Sequence, residues 1–167
     1  MTRGDAPQPE DPADWIGRAY DRYGAELFRY ALILVLDAEA AADIVHQVFL
    51  SLLRRAPSLE NEAHYLRRAV RNEAFTLLRR RKRAPEGADG HVLEAMTATD
   101  DRVEERVAVE QALAALPADQ REVVHLKTFE GLTFDEIAGL LNESINTVSS
   151  RYRYAIEKMR ARLGPRS

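Results

Sequence analysis

The sequence lacks cysteine altogether and has few glycines and prolines, eight and seven in 167 residues. Without cysteine the chain can form no disulfide scaffold, thiolate nucleophile or cysteine-containing zinc site, and a reducing compartment is its natural setting. The longest apolar run, residues 30–36, is too short to cross a bilayer, and residues 1–12 lack the basic start and apolar core of a secretory signal. We therefore predict a cytoplasmic, globular protein.

The net charge of −3 conceals blocks of opposite sign along the chain. Residues 57–83 carry eight basic and three acidic side chains, and residues 144–167 carry six basic side chains against Glu157 alone. Between them, residues 84–110 carry two basic and eight acidic side chains. A single basic run is often only a solvated helix face, but two runs in defined positions around an acidic one weaken that interpretation.

Helical patterns cover almost the whole chain, because no sustained period-two alternation is present. Asp11 and Pro12 form a helix start, and Gly24 is expected to interrupt that helix. Asp37 is predicted to cap the next helix, and the predicted helices that follow are 38–55, 62–83, 103–116 and 118–130, with two short ones after them. The predicted fold class is all-α, with two small helical domains, 13–83 and 103–163, joined by an acidic flexible linker, 84–102.

The C-terminal domain contains a helix-turn-helix pattern. Thr133 and Glu136 fit a capping box for a helix that ends at Leu141, Asn142 suits a left-handed turn, and Ser144 can cap a final helix to about Leu163. On a helical wheel one stripe of the final helix is apolar: Ile145, Val148, Tyr152, Ala155, Ile156, Met159 and Leu163. The opposite face carries Asn146, Thr147, Ser150, Arg153 and Tyr154, flanked by Arg151, Lys158 and Arg160. This arrangement suits major-groove readout, although an ordinary helical hairpin with a basic face remains an alternative.

The helix predicted over 62–83 interleaves basic side chains with aromatic rings. Its outer face carries Arg68, Asn72, Phe75 and Arg79, flanked by Tyr65 and Lys82. Rings beside arginine and asparagine are suited to stacking with unpaired bases, with phosphate contacts from the basic rim. The alternative is that Phe75 packs on a neighbouring helix.

The helix predicted over 38–55 supplies a third surface. Asp43, His46, Gln47, Leu50 and Arg54 point away from its core face. An apolar side chain among polar ones is a modest sign of a protein-docking patch, although a lone exposed leucine is common.

The order and spacing of three segments, 41–55, 65–83 and 115–160, resemble a bacterial sigma-70 factor of the extracytoplasmic-function group. The resemblance covers roughly residues 13–163 and implies only sigma-two and sigma-four domains. It implies a non-enzymatic specificity subunit that binds core RNA polymerase and promoter DNA, with an anti-sigma factor as a further partner and neither cofactor nor metal. A homodimeric helix-turn-helix regulator is the alternative function.

The resemblance also assigns roles to residues of the N-terminal domain. Asp43 and Phe49 match the motif that docks on the clamp coiled coil of the largest polymerase subunit, whereas His46 and Gln47 replace the usual glutamine and acidic residue. Arg71, Asn72 and residues 79–83 match the region that opens the minus-10 element, where Thr76 replaces the usual aspartate. Residues 58–62 would form the specificity loop.

In the C-terminal domain, residues 146–151 match the minus-35 pattern, with Ser149 in place of the common lysine. The resemblance and the wheel together predict minus-35 contacts from Ser144, Asn146, Thr147, Ser149, Ser150, Arg151, Arg153 and Tyr154. Glu143 replaces a usually apolar turn residue. The resemblance also implies that this domain contacts the polymerase flap and that the acidic linker threads the polymerase toward the RNA path.

Overall fold

The computed structural model of the protein describes residues 11–55, 61–84 and 101–164. All regular structure in these residues is helical, as predicted, and none of the described helices is long and apolar enough to span a membrane. Residues 58–60 of the predicted specificity loop and residues 85–100 of the predicted linker lie outside the described residues. The helices are α1 (Pro12–Val35), α2 (Ala38–Arg55), α3 (Glu62–Arg83), α4 (Asp101–Ala114), α5 (Ala118–Thr128), α6 (Phe134–Leu141) and α7 (Ile145–Leu163).

Helix α1 begins as the sequence predicts, because the Asp11 side chain accepts a hydrogen bond from the backbone N–H of Ala13 and Pro12 occupies the first turn. The expected interruption at Gly24 is wrong. The helix runs through that glycine without a break and ends where Leu36 adopts a left-handed conformation, with φ of 54°. One glycine costs a helix only about 1 kcal/mol, which burial of the long apolar face of α1 exceeds.

Helices α1, α2 and α3 pack into an N-terminal unit. Its core is filled by Leu34, Leu52, Leu66 and Val70, each at most 1% exposed. The start of α2 is fixed by Asp37, whose carboxylate accepts a hydrogen bond from the backbone N–H of Ala40 at 3.0 Å. That bond is the main cause of the lowered pKa of Asp37. The core faces of all three helices therefore point inward and leave one outer face of α2 and one of α3 free.

Helices α6 and α7 form the predicted helix-turn-helix. The hydroxyl of Thr133 accepts from the N–H of Glu136, and the Glu136 carboxylate accepts from the N–H of Thr133 at 2.7 Å, which completes the capping box. Asn142 makes the turn with φ of 54°, and Ser144 accepts from the N–H of Thr147 at 3.0 Å. Ile145 and Leu163, both on the predicted apolar stripe of α7, are 48% and 43% exposed, so the two ends of that stripe are not buried.

The two units share one hydrophobic core. The cluster that contains Leu27 and Leu66 of the N-terminal unit continues into Leu126, Ile137 and Val148 of the C-terminal unit. Helix α5 lies at the junction, and its residues 121–126 are all buried. A helix buried on every side is a central element of its fold. The described residues thus form a single compact body.

Candidate nucleic-acid interface

Helix α7 presents most of the predicted reading face to solvent. Asn146, Arg153 and Tyr154 are exposed, whereas Thr147, Ser149 and Ser150 are half-buried. The Arg153 guanidinium lies 5.2 Å from the centre of the Tyr154 ring, which itself is 51% exposed. Small polar groups near the start of a helix and a cation further along match the donors and acceptors on base edges in the major groove.

Two other residues of the predicted minus-35 set have protein partners. Ser144 caps α7, and its hydroxyl also lies 2.8 Å from that of Thr147. Arg151 is paired with Glu143 at 3.0 Å and with Asp119 at 3.4 Å. Glu143, the unusual turn residue of the sequence pattern, therefore serves as a partner for Arg151, a role that the sequence did not indicate.

The outer face of α3 is basic and exposed along most of its length. Arg68, Asn72, Arg79 and Lys82 are all exposed and follow one another at steps of four, seven and three residues, so they lie on one side of the helix. The Arg79 guanidinium also donates to the hydroxyl of Thr76 at 3.0 Å. This face can contact phosphates over about four helical turns and offers an amide for one base.

The aromatic part of the predicted α3 surface is less exposed than expected. Tyr65 and Phe75 are half-buried and pack against the hydrophobic core, and the Arg71 guanidinium lies 4.6 Å from the centre of the Phe75 ring. Only 23% of the Arg71 side chain is exposed. Phe75 therefore packs against neighbouring helices, which is the alternative stated above. Arg71, which is paired with Glu122 of the other unit, covers its ring.

Helix α2 carries the third predicted surface. Its members are all exposed: Asp43, His46, Gln47, Leu50 and Arg54. The structure adds Leu53, which is 43% exposed and lies one turn from Leu50, itself 36% exposed. An exposed pair of leucines rimmed by charged and amide groups suits a protein partner better than DNA.

Sequence reasoning missed a buried polar network between the two units. Glu122 of α5 is fully buried and accepts hydrogen bonds from the Tyr30 hydroxyl at 2.6 Å and from Nε of Arg71 at 2.8 Å. Burial raises the pKa of Glu122, and Arg71 offsets only part of that effect. Burial, together with Glu122, also raises the pKa of Tyr30 well above its usual range. The sequence carried no clear signal of this network, because Arg121 and Glu122 stand among other polar residues of α5.

A second ionic cluster lies beside the first. Nη2 of Arg67 donates to Glu130 at 2.8 Å and also pairs with Glu26, while His125 lies 3.3 Å from Glu130. Burial alone would raise the pKa of Glu130, but hydrogen bonds from His125, Glu26 and Arg67 lower it to about 2. The pKa of Glu26 is raised, chiefly by burial and then by Glu130, so Glu26 is the carboxyl of the pair that takes up a proton first.

Arg121 connects the C-terminal ends of α1 and α4 and the turn that follows α4, and its hydrogen-bond partners are backbone oxygens. Its guanidinium donates to the backbone oxygens of Leu34 at 3.0 Å, Ala114 at 2.7 Å and Leu116 at 3.2 Å. Burial lowers its pKa to about 10, so it remains charged near neutrality. The negative ends of the α1 and α4 dipoles favour a cation at this position.

Two family models match the chain in the order of the two units. The model described as Sigma-70 region 2 matches residues 19–84, and the one described as Sigma-70, region 4 matches residues 106–159. Over 156 residues the chain is 31% identical to the ECF RNA polymerase sigma factor SigL of Mycobacterium tuberculosis, an alignment that covers 86% of each chain. The chain belongs to the extracytoplasmic-function group of the sigma-70 family.

This sigma factor therefore directs promoter-specific initiation by RNA polymerase, and its family is non-enzymatic. It is also 31% identical to the ECF RNA polymerase sigma factor SigM of M. tuberculosis, over 87% of this chain and 75% of SigM. Its helix-turn-helix lies within the region 4 match, and α2 and α3 lie within the region 2 match.

Solved structures agree on the fold. The sigma factor RpoE of Bartonella quintana, in complex with the anti-sigma factor NepR, superposes with a TM-score of 0.69 over 90% of this chain and 97% of RpoE. CnrH, in complex with the cytosolic domain of CnrY, superposes with a TM-score of 0.64. Both are 22% identical to this chain, which establishes a common fold.

Proposed function

We propose that three exposed faces divide promoter recognition between two domains. In domain 13–83, α2 binds core polymerase and α3 captures and opens the minus-10 element. In domain 103–163, α7 reads the minus-35 element as duplex, and residues 84–102 connect the two domains. The observation that carries this assignment is the exposed face of α7. Asn146, Arg153 and Tyr154 are exposed there, and Ser144 caps the N-terminus of the helix.

The proposed polymerase contact uses the exposed face of α2. Leu50 and Leu53 supply the apolar centre, and Asp43, Gln47 and Arg54 supply a polar rim. Its proposed partner is the clamp coiled coil of the largest polymerase subunit, and the polymerase flap is the proposed partner of the C-terminal domain. His46 is exposed on the same face, so its replacement of the usual glutamine alters a contact without removing the surface.

The proposed minus-10 contact uses the exposed basic face of α3. Arg68, Arg79 and Lys82 are placed to neutralise phosphates, while the amide of Asn72 can hydrogen-bond an unpaired base. Phosphate contacts give affinity without sequence preference, so the specificity must come from Asn72 and from the face of α7. We expect the isolated sigma factor to bind promoter DNA poorly.

An anti-sigma factor is a further proposed partner. The two similar solved structures contain such partners or a partner domain: NepR with RpoE and the cytosolic domain of CnrY with CnrH. A cytoplasmic location follows from the proposed work with polymerase and DNA.

The test is capture of core RNA polymerase by the full chain, followed by run-off transcription on fragmented genomic DNA. We expect stable capture and discrete transcripts. The variant Arg153→Ala should keep polymerase capture but lose tenfold or more of the transcripts, since one good base contact is worth about 1–3 kcal/mol. Arg106→Ala is the matched control, because Arg106 is an exposed arginine of α4 outside all three faces.

Failure of the wild-type chain to capture polymerase would contradict the proposal. A palindromic footprint by the isolated protein would instead favour a homodimeric helix-turn-helix regulator. Equal transcript losses in Arg153→Ala and Arg106→Ala would remove α7 as the reading helix.

A further inference from the structure

Arginines of α3 are bound to carboxylates of the other unit. Nε of Arg71 lies 2.8 Å from Oε1 of Glu122, and its Nη2 lies 3.3 Å from Oε2 of the same carboxylate. One turn earlier, Nη2 of Arg67 lies 2.8 Å from Oε2 of Glu130. Arg71 is also next to Asn72, the residue proposed to contact an unpaired base.

The Arg71 contact has the geometry of anion recognition. Two adjacent guanidinium nitrogens face two oxygens of one carboxylate, which is the same fork that arginine offers to a phosphate. One such fork holds one anion at a time. While Glu122 is in place, a DNA phosphate cannot occupy the same side of Arg71.

The compact arrangement also conflicts with reading both promoter elements together. Positions −35 and −10 are about 25 base pairs apart, which is about 85 Å of B-form DNA at about 3.4 Å per base pair. A compact body of this size has a diameter of only about 40 Å. The 17 peptide steps from Ala84 to Asp101 can extend to about 60 Å, so the covalent connection allows the separation that the contacts prevent.

We propose that Glu122 is an intramolecular substitute for a DNA phosphate, which holds Arg71 and keeps the free sigma factor closed until polymerase and promoter DNA separate the two units. This inference rests on the proposed function. Glu130 supports the closure through Arg67, and Tyr30 supports it by donating its hydroxyl to Glu122. Opening exposes Glu122 to water and frees Arg71 for the melted strand.

The interface combines the shared apolar core with buried ion pairs, Arg71 with Glu122 and Arg67 with Glu130. When the units separate, water can solvate these charged groups, whereas the exposed apolar core has no such compensation. The buried carboxylate of Glu122 gains nothing from burial by itself, since its desolvation must be offset by Arg71 and Tyr30. A competing anion for Arg71 therefore weakens the closure directly.

The closure can be measured with spin labels, because the chain has no native cysteine and labels attach only to cysteines introduced for the purpose. Spin labels on Ala25→Cys in α1 and Ala161→Cys in α7, both exposed positions, report the distance between the units in the full chain. Glu122→Gln removes the charge and keeps the shape, whereas Glu105→Gln makes the same change at an exposed site of α4 and is the control. Core polymerase affinity is measured in parallel on the unlabelled, cysteine-free proteins.

We expect a narrow distance distribution in the wild type and in Glu105→Gln, and a broad, longer one in Glu122→Gln. Because apparent affinity scales with the open fraction, Glu122→Gln should bind core polymerase about fivefold more tightly. Tyr30→Phe removes only the hydroxyl donor, so its distance distribution and polymerase affinity should lie between those of wild type and Glu122→Gln. If circular dichroism shows that Glu122→Gln has lost helix content, Tyr30→Phe replaces it as the test variant.

A broad distribution in the wild type would overturn the inference, as would a narrow one in Glu122→Gln or an unchanged polymerase affinity. Absence of polymerase binding by wild type and variants alike would instead remove the proposed function. The distances in the free chain still report the closure in that case, so the two failures are distinguishable.

Discussion

Glu130 shows how a single residue draws its properties from three elements. It follows α5 in sequence, yet its carboxylate contacts Arg67 of α3 and interacts with Glu26 of α1. Hydrogen bonds from His125, Glu26 and Arg67 outweigh its burial and lower its pKa from the ordinary value of 4.5 to about 2. Its ionised form is therefore more stable in the folded chain than in the unfolded chain.

A pH dependence of stability follows from that shift. Between pH 4.5 and 2 the unfolded chain binds the Glu130 proton more readily than the folded chain, so this stabilisation is complete above pH 4.5 and is lost as pH falls toward 2. Urea denaturation of wild type and Glu130→Gln should show a difference in unfolding free energy that shrinks over this range. A difference that stays constant from pH 6 to pH 3 would show that the charge of Glu130 plays no part.

At the scale of an element, the start of α6 depends on its capping box. Thr133→Ala removes the oxygen that accepts from the N–H of Glu136, and we expect a loss of about 1 kcal/mol in the unfolding free energy. Thr133→Ser keeps the hydroxyl and should retain most of the stability. Urea denaturation of the full chain measures both variants, and equal losses in the two would exclude the cap as the cause.

Helices α1, α3 and α7 show that helical periodicity predicts the direction of a side chain but not whether a neighbouring helix buries it. The wheel identified the outer faces of α2, α3 and α7 because side-chain direction repeats every 3.6 residues. It could not tell that Phe75 and Tyr65 pack against the core or that Ile145 is exposed, since those outcomes depend on which helix lies opposite. Gly24 illustrates the same limit, because α1 continues through this residue of low helix propensity while its apolar face is buried in the core.

At the scale of the whole molecule, the shared core predicts cooperative unfolding. The single tryptophan, Trp15, lies in α1 and donates to Glu62 of α3 at 2.7 Å, so its fluorescence reports the N-terminal unit. In wild type the fluorescence and circular dichroism midpoints in urea should coincide, because the core joins both units. In Glu122→Gln they should separate, whereas in Glu105→Gln they should not.

Coincident midpoints in all three proteins would show that the apolar core alone couples the units. Separate midpoints in wild type would show that the units unfold independently, so this measurement tests the coupling without polymerase or DNA.

Local sequence patterns were enough to predict the all-helical class, the order of the helices and the caps that begin α1, α2, α6 and α7. These features depend on contacts within about four residues, such as Asp11 with Ala13 and Ser144 with Thr147, which a linear pattern contains. The same local period located the three polar faces, and the order of the motifs indicated the family.

Which polar side chains are buried in ion pairs, and which are exposed, depends on how the helices pack together. Arg71 pairs with a carboxylate 51 residues away, and the Arg121 guanidinium reaches a backbone oxygen 87 residues away. Nothing in local periodicity encodes such pairings, because they arise when two amphipathic units bury their faces against each other and must satisfy every buried charge. Local periodicity therefore located the functional faces. The packing of the two units placed Arg71 in an ion pair with the other unit, and in the described part of the chain no other predicted minus-10 residue forms such a pair.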